Sequence, residues 1–171
     1  MGDGFLAPRL LLSAAIEKDE PVQISARADY AVRAMIALAA AGTTVKAEVL
    51  ADEQELPRKF LEAILADLRR SGLVASQRGP DGGHRLTRAA EKISVADIMR
   101  AVEGPLAAVR GQRPEDSPYE GVTEPLQTVW VAVRASLRSV LDETTLDDIV
   151  SGKLPGHVRR LAEAPDAWSP R

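Results

Sequence analysis

The stretch LPRKFLEAILADLRRSGLVASQRGPDGGHRL, residues 56–86, decides the fold. Its first half has helical spacing: Phe60, Leu61, Ile64, Leu65 and Leu68 fall on one face. Pro57 starts that helix, as proline can in a first turn, and Gly72 stops it. The second half changes period. Val74 to Arg78 alternates as a strand does, Gly79-Pro80-Asp81-Gly82-Gly83 makes a turn, and His84-Arg85-Leu86 returns. A short hairpin joined directly to a helix is a wing. Glycines at its tip remove side chains, so that the backbone can approach another surface closely.

On the N-terminal side, Ser25 caps a helix running to about Ala41, with Ala31, Ala34, Met35 and Leu38 as its apolar stripe. A shorter helix follows Thr44, with Val49 and Leu50 inward and Lys46, Glu48, Asp52 and Glu53 outward. This helix, a tight connection and the helix after Pro57 form a helix-turn-helix. On the C-terminal side, Ser94 and Asp97 have capping-box spacing at the start of a fourth helix, which Gly104-Pro105 ends. A polar loop, Arg110 to Gly121, leads into a long helix over about Thr123 to Leu141. Its stripe is Leu126, Val129, Trp130, Val133, Leu137, Val140 and Leu141, and Val131 and Ala132 widen it beyond what one packing partner needs. A short helical turn follows at Leu146 to Val150.

The expected fold is therefore mainly α with a small β wing: a winged helix-turn-helix plus a long C-terminal dimerisation helix. Residues 25–105 form the first unit, and residues 106–150 the loop and dimerisation helix. Residues 1–24 read as a poorly ordered extension and residues 151–171 as a flexible tail.

Composition removes whole classes of function. The 171 residues include no cysteine, which excludes a disulfide framework, a zinc ribbon, a cysteine nucleophile and a thiolate-held cluster. Two histidines, His84 and His157, make a histidine-rich metal site improbable, so no metal and no cofactor are expected. The adjacent acids Asp147-Asp148 and Glu115-Asp116 do not converge as a catalytic pair, and the wing turn lacks the lysine of a nucleotide-binding loop. An enzyme is not expected. The longest early apolar run, Leu10 to Ile16, is too short to span a bilayer, and acids stand where a signal-peptide cleavage site would be. A cytoplasmic protein is expected.

The net charge of -3 argues against nucleic acid until the charges are located. Arg58, Lys59, Arg69, Arg70, Arg78, Arg85 and Arg88 face only Glu62, Asp67 and Asp81 within residues 58–88. That basic module on an acidic body suits a polyanion. Arg58 and Lys59, in the first turn of the third helix, occupy the part that enters a major groove; Arg58 can bond a guanine edge and Glu62 a cytosine amino group. A solvated helix face carries such charges too, and it is the wing that shifts the balance. Arg78, beside Gly79, Pro80, Gly82 and Gly83, can enter a narrow minor groove. Arg27 and Tyr30 are candidate phosphate contacts, with Arg85 as a steering charge.

Four ordered motifs carry a family resemblance. They are Ala28-Asp29-Tyr30-Ala31-Val32-Arg33-Ala34-Met35; Phe60-Leu61-Glu62 with Leu68-Arg69-Arg70-Ser71-Gly72-Leu73-Val74; Arg78 to Leu86; and Ile93 to Ile98 with Glu103-Gly104-Pro105-Leu106. Over about Ser25 to Val150 the chain resembles the Rrf-two family of bacterial winged-helix transcription regulators. These include an iron–sulfur-cluster regulator, a nitric-oxide-sensing repressor and a cysteine-metabolism repressor. The resemblance implies a homodimeric repressor on double-stranded DNA with a palindromic operator, paired through the long helix. The candidate signal is a small-molecule effector at the dimer helices, a partner enzyme, or none. Many members hold a cluster with three cysteines after the Glu-Gly-Pro-Leu motif, where this chain has Arg110 to Gly121 and no thiol. Glu55 replaces the usual glycine, Pro57 a serine and His84 a tyrosine. The competing expectation is a protein-interaction module that keeps the winged fold without DNA binding, favoured by the acidic C-terminal half.

Overall fold

A computed structural model describes residues 24–169. The expectation for the N-terminal extension lies almost wholly outside them. Helix α1 spans Ala26–Ala41. The Ser25 hydroxyl accepts from the Ala28 N–H at its start, and Gly42 closes it in the left-handed conformation, its N–H donating to the Leu38 carbonyl. Helices α2 (Ala47–Glu53) and α3 (Arg58–Arg70) form the helix-turn-helix, with Pro57 at the N-cap of α3. Strands β1 (Val74–Gln77) and β2 (Gly83–Leu86) pair antiparallel, Val74 opposite Leu86 and Gln77 opposite Gly83. Helix α4 (Val95–Glu103) begins with the expected Ser94–Asp97 capping box. The long helix α5 runs Pro125–Leu141, about 25 Å at 1.5 Å per residue.

One core joins these elements. Met35 and Leu38 of α1, Leu50 of α2, Leu61, Ile64, Leu65 and Leu68 of α3, Val74 of β1 and Ile98 of α4 are all buried together. Burying a large aliphatic side chain contributes about 1.5–3 kcal/mol, so this cluster dominates the stability of the body. Two inward assignments change. Val49 is exposed, and Ala51 beside Leu50 is the buried one, because a seven-residue helix presents only a narrow inner face. Phe60 is also exposed at 39%, and its ring packs perpendicular to that of Tyr30 at 5.8 Å between centroids.

After α5 the chain returns to the body. Leu146, on α6 (Leu146–Ser151), is fully buried in the core of residues 25–105, so the unit boundary read from sequence does not separate it. Backbone bonds fix the return: Val95 N–H donates to Thr144, and Leu146 N–H to Ile93. The stretch read as a flexible tail contains a helix, α7 (Gly156–Ala162). Pro155 sets its entry, and His157 Nε2 lies 2.6 Å from the Ser139 carbonyl of α5, a tertiary contact that local composition does not reveal. Among the described residues no helix is long and apolar enough to cross a membrane.

Candidate nucleic-acid interface

Burial on α3 sorts its residues by role. Leu61, Ile64, Leu65 and Leu68 anchor the helix, which leaves Arg58, Lys59 and Glu62 exposed at its first turns. Arg58 does not stand free. Its Nη2 donates to Glu48 of α2 at 2.6 Å, and its Nε to Glu62 at 3.3 Å. Lys59 and the wing arginines Arg78 and Arg85 are exposed and form no ion pair among the described residues.

The wing is fastened to the helix-turn-helix rather than hanging from it. His84 and Val45 exchange backbone hydrogen bonds of 2.7 and 2.8 Å, which ties β2 to the residues leading into α2. This gives two of the tip glycines an internal reason. A Cβ on Gly83 would stand 2.4 Å from the Val45 carbonyl oxygen, and one on Gly82 2.4 Å from that of Gln77. Gly79, with φ +106°, Pro80 and Asp81 are the exposed parts of the tip. Arg69 donates to the Ser76 hydroxyl at 3.3 Å, bracing β1 from α3. The ring of His84 is half-buried, its Nδ1 has no hydrogen-bond partner, and burial followed by the nearby Arg69 charge lowers its pKa.

Arg27 and Tyr30 occupy different situations. The Arg27 guanidinium pairs with the buried Asp67 of α3 and donates from Nε to the Val102 carbonyl at 3.2 Å. It is a strut between α1, α3 and α4, and its head is committed to the protein. Tyr30 packs its ring on Phe60, with the Arg33 guanidinium 5.9 Å from its centroid, so α1 supports α3 just behind its first turn. Asp67, Glu48 and Val45 were not singled out from sequence. Asp67 had a signal, an acid on the apolar stripe of α3; Glu48 and Val45 had none.

The expected dimerisation stripe divides into two faces. Leu126, Trp130 and Leu137 are half-buried on the side that meets the chain's own loop. There Gln127 Nε2 donates to the carbonyls of Pro114 and Glu115 at 3.3 and 3.0 Å, and Arg134 pairs with Glu115. Val129 and Val133 are 50% and 41% exposed, with Ala132 and Ser136 on the same uncovered side and the half-buried Val140 at its edge. Not one residue of α5 is fully buried. Val129, Val133, Ser136 and Val140 follow the alternating spacing of a coiled-coil seam.

A helix-turn-helix with its second helix exposed at the N-terminal end, braced by a hairpin wing, defines the winged-helix class of DNA-binding regulators. The chain belongs to the Rrf2 family, whose model, described as an iron-dependent transcriptional regulator, matches residues 24–152. Rv1287 of Mycobacterium tuberculosis, whose name places it among HTH-type transcriptional regulators, is 51% identical over 144 residues, 83% of this chain and 89% of that one. The HTH-type regulator CymR of Bacillus subtilis is 33% identical over 134 residues, 76% of this chain and 91% of its own. The solved structure of B. subtilis CymR, titled the global cysteine regulator, superposes with a TM-score of 0.65 at 31% identity, covering 78% of this chain and 99% of that one. The IscR of T. potens gives 0.62 at 34% identity, with 77% and 88% covered. The chain is a DNA-binding transcriptional regulator and not an enzyme.

Iron is in the family's description, and the residues here do not fit it. The chain has no cysteine, and among the described residues no group of three or more His, Asp or Glu side chains is placed to hold a metal ion. The loop of residues 110–121 is organised by protein contacts instead. Arg110 lies 5.6 Å from the Tyr119 ring centroid, the buried Ser117 donates to the Arg113 carbonyl at 3.1 Å, and α5 grips Pro114 and Glu115 as described.

Proposed function

We propose that the chain acts as a homodimeric repressor that binds a palindromic operator in the cytoplasm, without an iron–sulfur cluster. The observation that carries this reading is α5, a 17-residue helix with no buried residue and an apolar seam turned away from its own body. A second copy covers such a seam at the lowest cost, because a two-fold interface is self-complementary. Two bodies joined in this way carry two α3 helices, and half-sites one helical turn apart accept them. Arg58, Lys59 and Glu62 read base edges, while Arg78 with Gly79 and Pro80 enters the minor groove. Arg85 and the Tyr30 hydroxyl meet phosphates. Gly82 and Gly83 act by shaping the wing, and Arg27 by holding α1 to α3. Occupancy of the operator suffices for repression.

The test is selection of duplexes from a random pool by the full chain, followed by affinity measurements against salt. The reading expects a two-fold symmetric site and a steep loss of affinity, because each neutralised phosphate contributes about 0.9 to the log–log slope. Arg58→Ala is expected to relax preference at one position per half-site by about 1–3 kcal/mol. Blank selections, with a protein partner recovered instead, would favour the interaction-module reading.

A further inference from the structure

Glu48 lies on α2, outside every segment to which DNA contact is assigned above. Its carboxylate takes one N–H of Arg58, and Glu62 takes another. All three side chains are more than half exposed: Arg58 59%, Glu48 54% and Glu62 54%. Exposed pairs contribute little to stability, so holding the fold together does not account for the arrangement. The cluster does change what α3 presents. A lone Arg58 would be a mobile cation, satisfied by any phosphate. With two carboxylates on one guanidinium the group carries a net charge of -1, and Arg58 keeps three N–H donors uncommitted.

We propose that Glu48 is a specificity-determining residue of the DNA interface, which together with Glu62 withholds Arg58 from bare phosphate and presents it as part of a donor–acceptor set. The proposal rests on the reading that α3 enters the major groove. A polyphosphate backbone repels the cluster wherever the bases do not match. A G·C pair satisfies it: guanine O6 and N7 accept from Arg58, and the cytosine amino group donates to a carboxylate. Discrimination then comes largely from a penalty on the wrong sequence, the repulsive half of specificity.

The experiment is fluorescence anisotropy of the full chain with two labelled duplexes over a range of salt. One duplex is selected from the random pool, and the other is a scrambled sequence of the same composition. Glu48→Gln keeps the shape and removes the charge. It is expected to tighten binding to the scrambled duplex about 3- to 10-fold and to steepen its salt slope by about one. The selected duplex should gain less, so the ratio between the two falls. In an Arg58→Ala background the same substitution should no longer steepen the salt slope and should tighten both duplexes only slightly and equally, because a negative charge is removed but no guanidinium is left to release. Unchanged affinities for E48Q overturn the proposal, as does equal weakening on both duplexes with a lowered melting temperature, which would mark a structural role. If wild type itself shows no preference for the selected duplex, the groove-reading of α3 fails and takes this proposal with it. Wild-type preference combined with an inert E48Q sinks the proposal alone.

Discussion

Asp67 shows how much of an interface is built behind it. It is 8% exposed, and it bonds both Arg27 of α1 and Arg70 one turn along its own helix. A carboxylate so placed is costly to bury unless both partners stay. Asp67→Asn is expected to destabilise the body by about 1–3 kcal/mol, read as a lower midpoint in urea, because half-buried Arg27 loses its counter-charge. Glu55 stands at the other extreme. It adopts φ +52° in the turn between α2 and α3, a conformation that costs a side chain energy and glycine nothing. Glu55→Gly should therefore raise stability by about 0.5–1 kcal/mol, set against glycine's greater chain entropy, and thermal melts will show it. From sequence Arg27 is expected at a phosphate. Its ion-pair partner within the chain lies forty residues away, and pairing at that range leaves no mark in local spacing.

At the scale of elements, α3 and the wing were legible because each is encoded locally, in apolar period and turn residues. The join between them was not, since Val45 reaches β2 through backbone atoms that any residue supplies. His84 gives that join a pH dependence. Its pKa lies below the ordinary imidazole value, with burial the main cause and Arg69 the second. The folded state thus favours the neutral ring, and the stability this represents is present above pH 6.5 and drains as the pH falls through that value. Wild type should lose more melting temperature than His84→Gln between pH 7.5 and pH 5.5; equal losses would remove His84 from the account. The long helix was legible as an element, but its two faces were not. Leu126 and Val129 are equally apolar, and only the position of the loop at Pro114–Asp116 decides which of them the chain covers.

For the whole molecule, α5 is an arm tied down at both ends. Gln127 and Arg134 hold it to the preceding loop, and beyond it Arg100 of α4 grips Asp142 with two bonds of 2.6 and 2.9 Å. The Asp142 carboxyl titrates below its usual range chiefly because of those bonds. An anchored arm fixes the separation of two bodies joined through it. Val133→Glu, on the uncovered seam, is expected to give a monomer by sedimentation with unchanged helical content and a loss of operator binding of at least about tenfold. A dimeric V133E would move the contact elsewhere.

The stitch between Val45 and His84 has a mechanical corollary. On the proposed reading, lifting the hairpin from a groove would tug on the strand of chain that enters α2, whose Leu50 shares the buried cluster with the residues beneath α3. Letting go of a duplex is then a concerted act. On that reading, whatever dislodges one grip loosens the other, and release needs only a single point of leverage on each body.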